Sequence, residues 1–337
     1  MPRCRGSGAR VSARRVAVVG AGISGVAAAN ALRKHGVDVT VLDRGHRIGG
    51  RMATRTLRGT GLPYDGRVVD VGAAYFTVTS EPFQDVVDGW VLRSMVRRWT
   101  DTFVVSGPDG PQGVVTGPMR YAAPAGLRSL VEDLAADLAL VIHPREVERV
   151  DRVADGVEVD GERFDAVVLA MPAPQAADLL AADDPVLDDL GHQRWEPVLT
   201  LVAAYDARCW HPFDAMFVND SAVLSFVADD GRRRGDHAPV LVAHSGAVLA
   251  AGHLDDPASA SGALLEALEH VVDATAKPSW FDVRRWSLAR PLRQQPRPYA
   301  FDGAVGLCGD AWGTVSRVET AWSSGHELGH VLASRLA

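Results

Sequence analysis

The sequence predicts an α/β protein of two unequal parts: a parallel-sheet part assembled from discontinuous segments, and a smaller α+β part whose sheet is mostly antiparallel. Three observations predict this. A strand, glycine turn, helix and strand open the chain at residues 16–42; a strand, glycine turn and helix close it; the middle reads as short strands and hairpins. A length of 337 residues exceeds one ordinary core and falls short of three.

Residues 16–19 form a β-branched run that ends at Gly20, residues 24–35 have helical character and stop at Gly36, and 37–42 give a second buried strand. A further strand at 68–71 leads into Gly72-Ala73-Ala74-Tyr75-Phe76. Ser80-Glu81-Pro82 supplies a capping hydroxyl, an acid at the positive dipole end and a first-turn proline, so a helix is expected to run from there to about residue 98. The glycine- and proline-rich stretch 102–121, with its valine pairs, reads as hairpins, and the change of composition sets a boundary near Phe76. Leu127, Leu130, Val131, Leu134 and Leu138 recur at helical spacing; 146–150 and 156–159 are expected to pair as strands; 164–171 is a buried strand that Pro172 and Pro174 end, starting a helix. Residues 192–285 again read as strands, with a helix at 261–274. The parallel-sheet part thus takes 15–76, 122–190 and 286–337, the smaller part takes 77–121 and 191–285, and residues 1–14 form a disordered extension. Arg232-Arg233-Arg234, between Gly231 and Gly235, reads as a solvated basic loop tip.

A net charge of −7, spread along the chain, argues against a nucleic-acid surface and leaves a small molecule as the expected partner. Cys4, Cys209 and Cys308 are far apart and form no C-x-x-C pair, which fits a reducing cytoplasm and no metal site. Arg3, Arg5, Arg10, Arg14 and Arg15 lie near the start without the apolar core of a signal peptide, and no apolar run approaches the roughly 20 residues of a membrane span.

The chemistry begins at Gly20-x-Gly22-x-x-Gly25. The first glycine permits a tight turn, the second lets backbone approach a pyrophosphate, and the third lets helix and strand pack closely, with the phosphates on the helix N-terminus. Asp43, at the end of the second strand, stands where a carboxylate accepts from ribose hydroxyls. These features define a Rossmann-type dinucleotide site without choosing the dinucleotide. Gly49-Gly50-Arg51-Met52 follows directly, allowing close backbone approach to phosphate with a guanidinium at hand. Near the C-terminus, Gly309-Asp310 ends a strand with an acid able to bond a ribityl hydroxyl, and Arg317-Val318-Glu319 opens a helix whose N-terminus favours negative charge on a reduced flavin. Together they select FAD, bound non-covalently in a Rossmann-type FAD-binding domain.

The Gly-Gly-Arg segment resembles that of the amine-oxidase-like FAD superfamily. Within it, residues 70–77, 171–176, 289–291, Cys308-Gly309-Asp310 and Arg317-Val318-Glu319 resemble the renalase family, bacterial members above all, from Val16 onward. The resemblance implies that Gly72, Ala73, Ala74 and Tyr75 pass beside the isoalloxazine and that Val147 meets the adenine through its backbone. The cofactor set is then Gly20, Gly22, Ile23, Ser24, Gly25, Asp43, Arg44, Gly50, Arg51, Met52, those residues, Gly309, Asp310, Arg317, Val318 and Glu319. It further implies oxidation of dihydro isomers of NAD(P)H, with O2 reoxidising the flavin to give H2O2; such chemistry needs a dry pocket more than an acid or base, and no triad or metal constellation is visible.

His244 falls where bacterial renalase-like sequences carry a histidine, and either bonds substrate or is satisfied within a sheet. Trp286 and Arg290 precede the strand leading back to the flavin; Arg290 binds a substrate phosphate or pairs with an acid. Trp312 flanks the ring or fills core, and Tyr75 completes the candidate substrate pocket. Two positions depart from the family: Gly246-Ala247-Val248-Leu249-Ala250 lacks a tryptophan, and Thr320 replaces a glycine.

Flavin amine oxidation is the competing enzyme reading. Those enzymes place a lysine on a substrate-part strand and an aromatic before the last helix, whereas residues 198–205 lack lysine and Arg317 replaces the aromatic. A non-catalytic flavin-binding regulator is the competing non-enzyme reading. An NAD-dependent dehydrogenase is opposed by Gly49-Gly50-Arg51 and Gly309-Asp310.

Overall fold

The strand Arg15–Val19 is central because Val16, Ala17 and Val18 have no exposed surface, so both of its faces must be covered. In the computed structural model, which describes residues 13–107, 110–190 and 193–337, it sits inside a six-stranded sheet. The order is Ala300–Asp302, Val305–Leu307, Ala166–Leu169, Arg15–Val19, Asp38–Leu42 and Val141–Ile142, parallel except for the outer hairpin formed by the first two. Chain direction along the sheet reverses beside Arg15–Val19, where open α/β sheets leave a crevice at the carboxyl ends of their strands.

The helix Ile23–Lys34 follows that central strand, and the final helix Val318–Leu336 packs on it. Contact is close: a Cβ at Gly325 would fall 1.9 Å from the Ser24 carbonyl oxygen, and one at Gly329 would fall 2.6 Å from that of Ala28. The first and last of these helices are thereby built into one core with Val26, Leu32, Leu328 and Leu332.

The second sheet has seven strands in the order Trp280–Pro291, Trp195–Ala204, Val240–Ser245, Leu224–Asp229, Ala215–Val218, Arg97–Gly107 and Gly110–Ala122. All neighbours are antiparallel except Ala215–Val218 with Arg97–Gly107. The fold is therefore the expected mixed one, a Rossmann-like parallel sheet with a mostly antiparallel companion.

Several local expectations need correction. The helix expected to reach residue 98 is Glu81–Leu92; Ser94 turns at φ 57°, and Arg97 already begins a strand. That helix buries Phe83, Val87 and Trp90 in the first core beside Trp322, although it was assigned to the smaller part. The strand expected at 146–150 is Val150–Val153, which pairs with Gly156–Val159. Trp280–Pro291 runs through the expected boundary at 285/286, staying paired as far as Pro291 with Trp195. Most of the extension 1–14 lies outside the described residues, but Arg14 is placed, bonding Asp165 at 2.9 Å.

The largest correction concerns the arginine triplet. Asp230–Arg234 is one helical turn, capped by Asp229 accepting from the Arg232 N–H, in which Arg233 is 0% and Arg234 6% exposed. They pair with Asp230, three and four residues earlier and itself buried, and with Asp70, whose approach no local charge pattern can reveal.

Candidate active site

Gly20 adopts φ +103°, and a Cβ there would meet the Ala170 carbonyl oxygen at 2.7 Å; one at Gly25 would meet the Gly20 oxygen at 1.9 Å. The turn is thus tight on its inner side for the reason the spacing suggests. Its outer side is open: nothing lies within 4 Å of the Cβ position of Gly22. Gly50, at φ +51°, directs its own Cβ position to 3.5 Å from the Gly22 Cα, so the two glycine loops face each other. Asp43 holds the loop by accepting from the Ala21 N–H at 2.6 Å and the Gly45 N–H at 2.7 Å. The Arg145 N–H donates to the Asp43 carbonyl, bringing buried Val147 to the same strand end. Arg44 is exposed, 3.9 Å from Glu146.

Arg51 does not stand free beside this cradle. Its two terminal nitrogens donate to Asp310 at 2.9 and 2.5 Å, Nη1 also reaches the Ala289 carbonyl, and the guanidinium lies 5.0 Å from the Trp195 ring centroid. Asp310 further accepts from the Ser316 hydroxyl. Nothing lies within 4 Å of the Cβ position of Gly309, at φ +153°. Ile23, Ser24 and Met52 are buried at the loop bases.

The segment 72–75 runs along the back of Arg51. Gly72 has no room for a side chain, since a Cβ would fall 1.9 Å from the Arg51 carbonyl oxygen, which accepts from the Ala73 N–H at 2.9 Å. Opposite stands the second sheet. Trp286 Nε1 and Thr200 Oγ1 both donate to the Val71 carbonyl, at 2.7 and 2.8 Å. His244 shares a hydrogen bond with the Gly72 backbone, its ring lies 5.6 Å from that of Phe226, and its buried Nε2 has no partner. Burial first, then the charges of Arg290 and Arg233, lowers the His244 pKa to about 4 and keeps the imidazole neutral. Tyr75 packs on Phe103 and Phe226, with ring centroids 5.3 and 6.1 Å away.

Other candidates are occupied differently. Arg290 is half-exposed and 3.8 Å from Glu196, the acid-pairing role left open by sequence. Trp312 is 4% exposed among Leu190 and Leu307, so it fills core and does not join the His244 group. Arg317 precedes the last helix and Val318 packs at the core edge, while the buried Glu319 carboxylate accepts from the Thr79 N–H and hydroxyl and the Ser80 N–H, which uses its side chain inside the protein. Sequence reasoning missed Thr200, Arg233 and Arg128. Arg128 lies with its Cγ 3.1 Å from the Cβ position of Gly49, its Nε buried and unpartnered. No local signal identified them, because each acts on a segment distant in sequence.

The family model for an NAD(P)-binding Rossmann-like domain matches residues 18–90, and that for a flavin containing amine oxidoreductase matches residues 92–327. The chain belongs to the flavin containing amine oxidoreductase family. Family membership supplies a flavin cofactor, and the residues present fit FAD: the outer sides of Gly22 and Gly309 are free of atoms where a dinucleotide backbone approaches. Among curated relatives, mitochondrial protoporphyrinogen oxidase of Nicotiana tabacum is 38% identical over 82 residues, 24% of this chain and 15% of that protein. Putrescine oxidase of Kocuria rosea is 33% identical over 119 residues, 35% of this chain and 23% of that protein. These matches span less than a quarter of each relative. Solved structures of the family fold cover nearly all of it: a putative protoporphyrinogen oxidase from Exiguobacterium aligns with TM-score 0.77 at 15% identity over 96% of this chain and 99% of its own. Cyclohexylamine oxidase from Brevibacterium oxydans aligns with TM-score 0.73 at 16% identity over 96% and 99%. At these identities the likeness establishes the scaffold. Among the described residues, no helix is long and apolar enough to cross a membrane.

Proposed function

We propose that this flavoprotein is a renalase-like oxidase of small hydride donors, the dihydro isomers of NAD(P)H, with FAD held non-covalently. When bound, FAD would supply a two-electron sink for a hydride, both electrons leaving on O2 as H2O2 together with the proton of that hydride and one from solvent. Gly22 and Gly50 would admit the pyrophosphate at the turn that Gly20 and Gly25 close, Asp43 would hold the ribose, and Asp310 the ribityl chain.

The observation that carries this reading is the polarity of the wall at His244: a neutral, buried imidazole with an unpartnered Nε2, under the positive field of Arg290 and Arg233. A protonated amine entering there loses its hydration shell and meets like charge, whereas a phosphate-bearing dihydronicotinamide meets opposite charge. His244 Nε2 would orient the donor by one hydrogen bond. Trp286, held by the Val71 carbonyl, would exclude water from one side. The strand Trp195–Ala204 carries no lysine that could act on an amine.

Amine oxidation is the second reading, favoured by the family match and by the likeness to cyclohexylamine oxidase. Anaerobic mixing of the holoprotein with 2- and 6-dihydroNAD(P), β-NADH and a panel of amines, following flavin absorbance, separates the two. Rapid bleaching by a dihydro isomer is expected; bleaching by an amine alone overturns the proposal. Flavin released to the supernatant on acid precipitation is expected for non-covalent binding.

A further inference from the structure

The arginine triplet provides a residue that neither the motif reading nor the family scaffold assigns. Arg233 is wholly buried; Nη1 donates to the Ala74 carbonyl at 2.6 Å, and Nη2 pairs with Asp230 and stands 3.6 Å from Asp70. Arg234 bonds the same two acids at 2.9 and 3.1 Å, and Arg67 reaches Asp230 at 2.5 Å. Three guanidiniums therefore surround two buried carboxylates, Asp70 and Asp230, with only Arg67 also served by the half-exposed Asp236. Gly231 lets this turn close, since a Cβ there would fall 2.1 Å from the Ala238 carbonyl oxygen.

Desolvating so many charges is costly, and an apolar packing of equal volume would serve stability as well or better. What the cluster places is specific. Ala74 belongs to the segment whose Gly72 bonds His244 and whose Tyr75 packs on Phe226, the ring His244 also touches. The Arg233 Nε is buried without a partner, so the guanidinium is held by its two terminal nitrogens alone.

We propose that Arg233 is a positioning and specificity-determining residue: it pins the Ala74 carbonyl, and its buried charge behind the Tyr75–His244 wall makes the pocket reject ammonium substrates. The substrate half of this inference rests on the proposed function; the electrostatic half does not. The charged groups acting on His244 are Arg290 from the strand Trp280–Pro291 and Arg233 from the turn Asp230–Arg234; the Gly72 backbone and the Phe226 ring are its other neighbours.

The test is NMR titration of the His244 imidazole in the histidine-labelled holoprotein, assigned with H244N, in wild type, R233K, R233Q, D230N/R233Q and R290Q. The wild type and R233K should titrate near pH 4. R233Q should titrate higher by about one pH unit, as should R290Q; D230N/R233Q, which removes an anion together with the cation, should shift in the same direction by less. The double variant removes both members of a buried pair and keeps the test readable if R233Q does not fold. In folded R233Q, the ratio of kcat/KM for a dihydro-NADH isomer to that for benzylamine should fall at least about tenfold and recover in R233K, with a smaller fall in D230N/R233Q. An unchanged His244 titration in a folded charge-removing variant, with R290Q shifted, overturns the proposal. A wild type that oxidises only amines sinks the functional reading instead, while the titration still decides whether Arg233 acts on the wall.

Discussion

Arg51 and Asp310 meet across 259 residues of chain through two hydrogen bonds, Nη1 to one carboxylate oxygen at 2.9 Å and Nη2 to the other at 2.5 Å. The pair ties the second glycine loop to the turn before the final helix, the two segments that sequence assigned to the pyrophosphate and to the ribityl chain of one cofactor. It lies at a partly buried site, so removing one partner strands the other. Asp310→Asn should lower stability by about 1–3 kcal/mol and weaken FAD retention at least tenfold. Urea denaturation of the apoprotein and FAD titration by flavin fluorescence check the two effects separately; a D310N protein that binds FAD like the wild type removes Asp310 from the cofactor set.

Gly325 is where the last helix touches the first. Gly325→Ala would press a methyl group into the Ser24 carbonyl, at 1.9 Å before relaxation, and force the helices apart. A loss of about 2 kcal/mol or more is expected, together with weaker FAD binding because Ser24 opens the helix on which phosphate rests. An unchanged denaturation midpoint would show that the packing yields without cost.

Acid should weaken the fold before the carboxylates titrate. His244 has its pKa lowered to about 4, against about 6.5 in the unfolded chain. Between those values the unfolded state takes up the proton and the folded state does not, so stability is complete above about pH 6.5 and declines as pH falls towards 4. His326, stacked on Trp322 and lowered to about 4 mainly by burial, acts in the same window. Denaturation midpoints at pH 7 and pH 5 should differ less in His244→Asn than in the wild type.

Glu319 serves as the clamp for residues 79 and 80. Hydrogen bonds from Thr79 and Ser80 hold its carboxyl below the usual range against the opposing effect of burial. The linked stability is present above the ordinary glutamate pKa and is lost as pH falls through the lowered one. Glu319→Ala would leave three donors without acceptor and should cost about 1–3 kcal/mol, with Glu319→Gln retaining part of it. Thermal unfolding of both variants at pH 7 measures the difference.

Sequence determined the dinucleotide loop, the strand–helix–strand opening, the second glycine loop and the closing helix, because each depends on contacts within a few residues or on glycines that only one backbone shape requires. It also singled out His244 and Trp286, one after and the other before an expected strand, whereas both lie within strands. It could not show that the two lie against the carbonyls and amides of 71–72, nor that Arg51 spends its guanidinium on Asp310, because these partners are brought together by sheet register and helix packing alone. The arginine triplet makes the contrast plainest. Read locally, three adjacent cations between two glycines belong in water; folded, Arg233 and Arg234 enclose Asp70 and Asp230 under the segment that lines the site. Asp230 is a neighbour in the chain, but its burial and the second counter-charge, Asp70, are delivered by the tertiary structure alone.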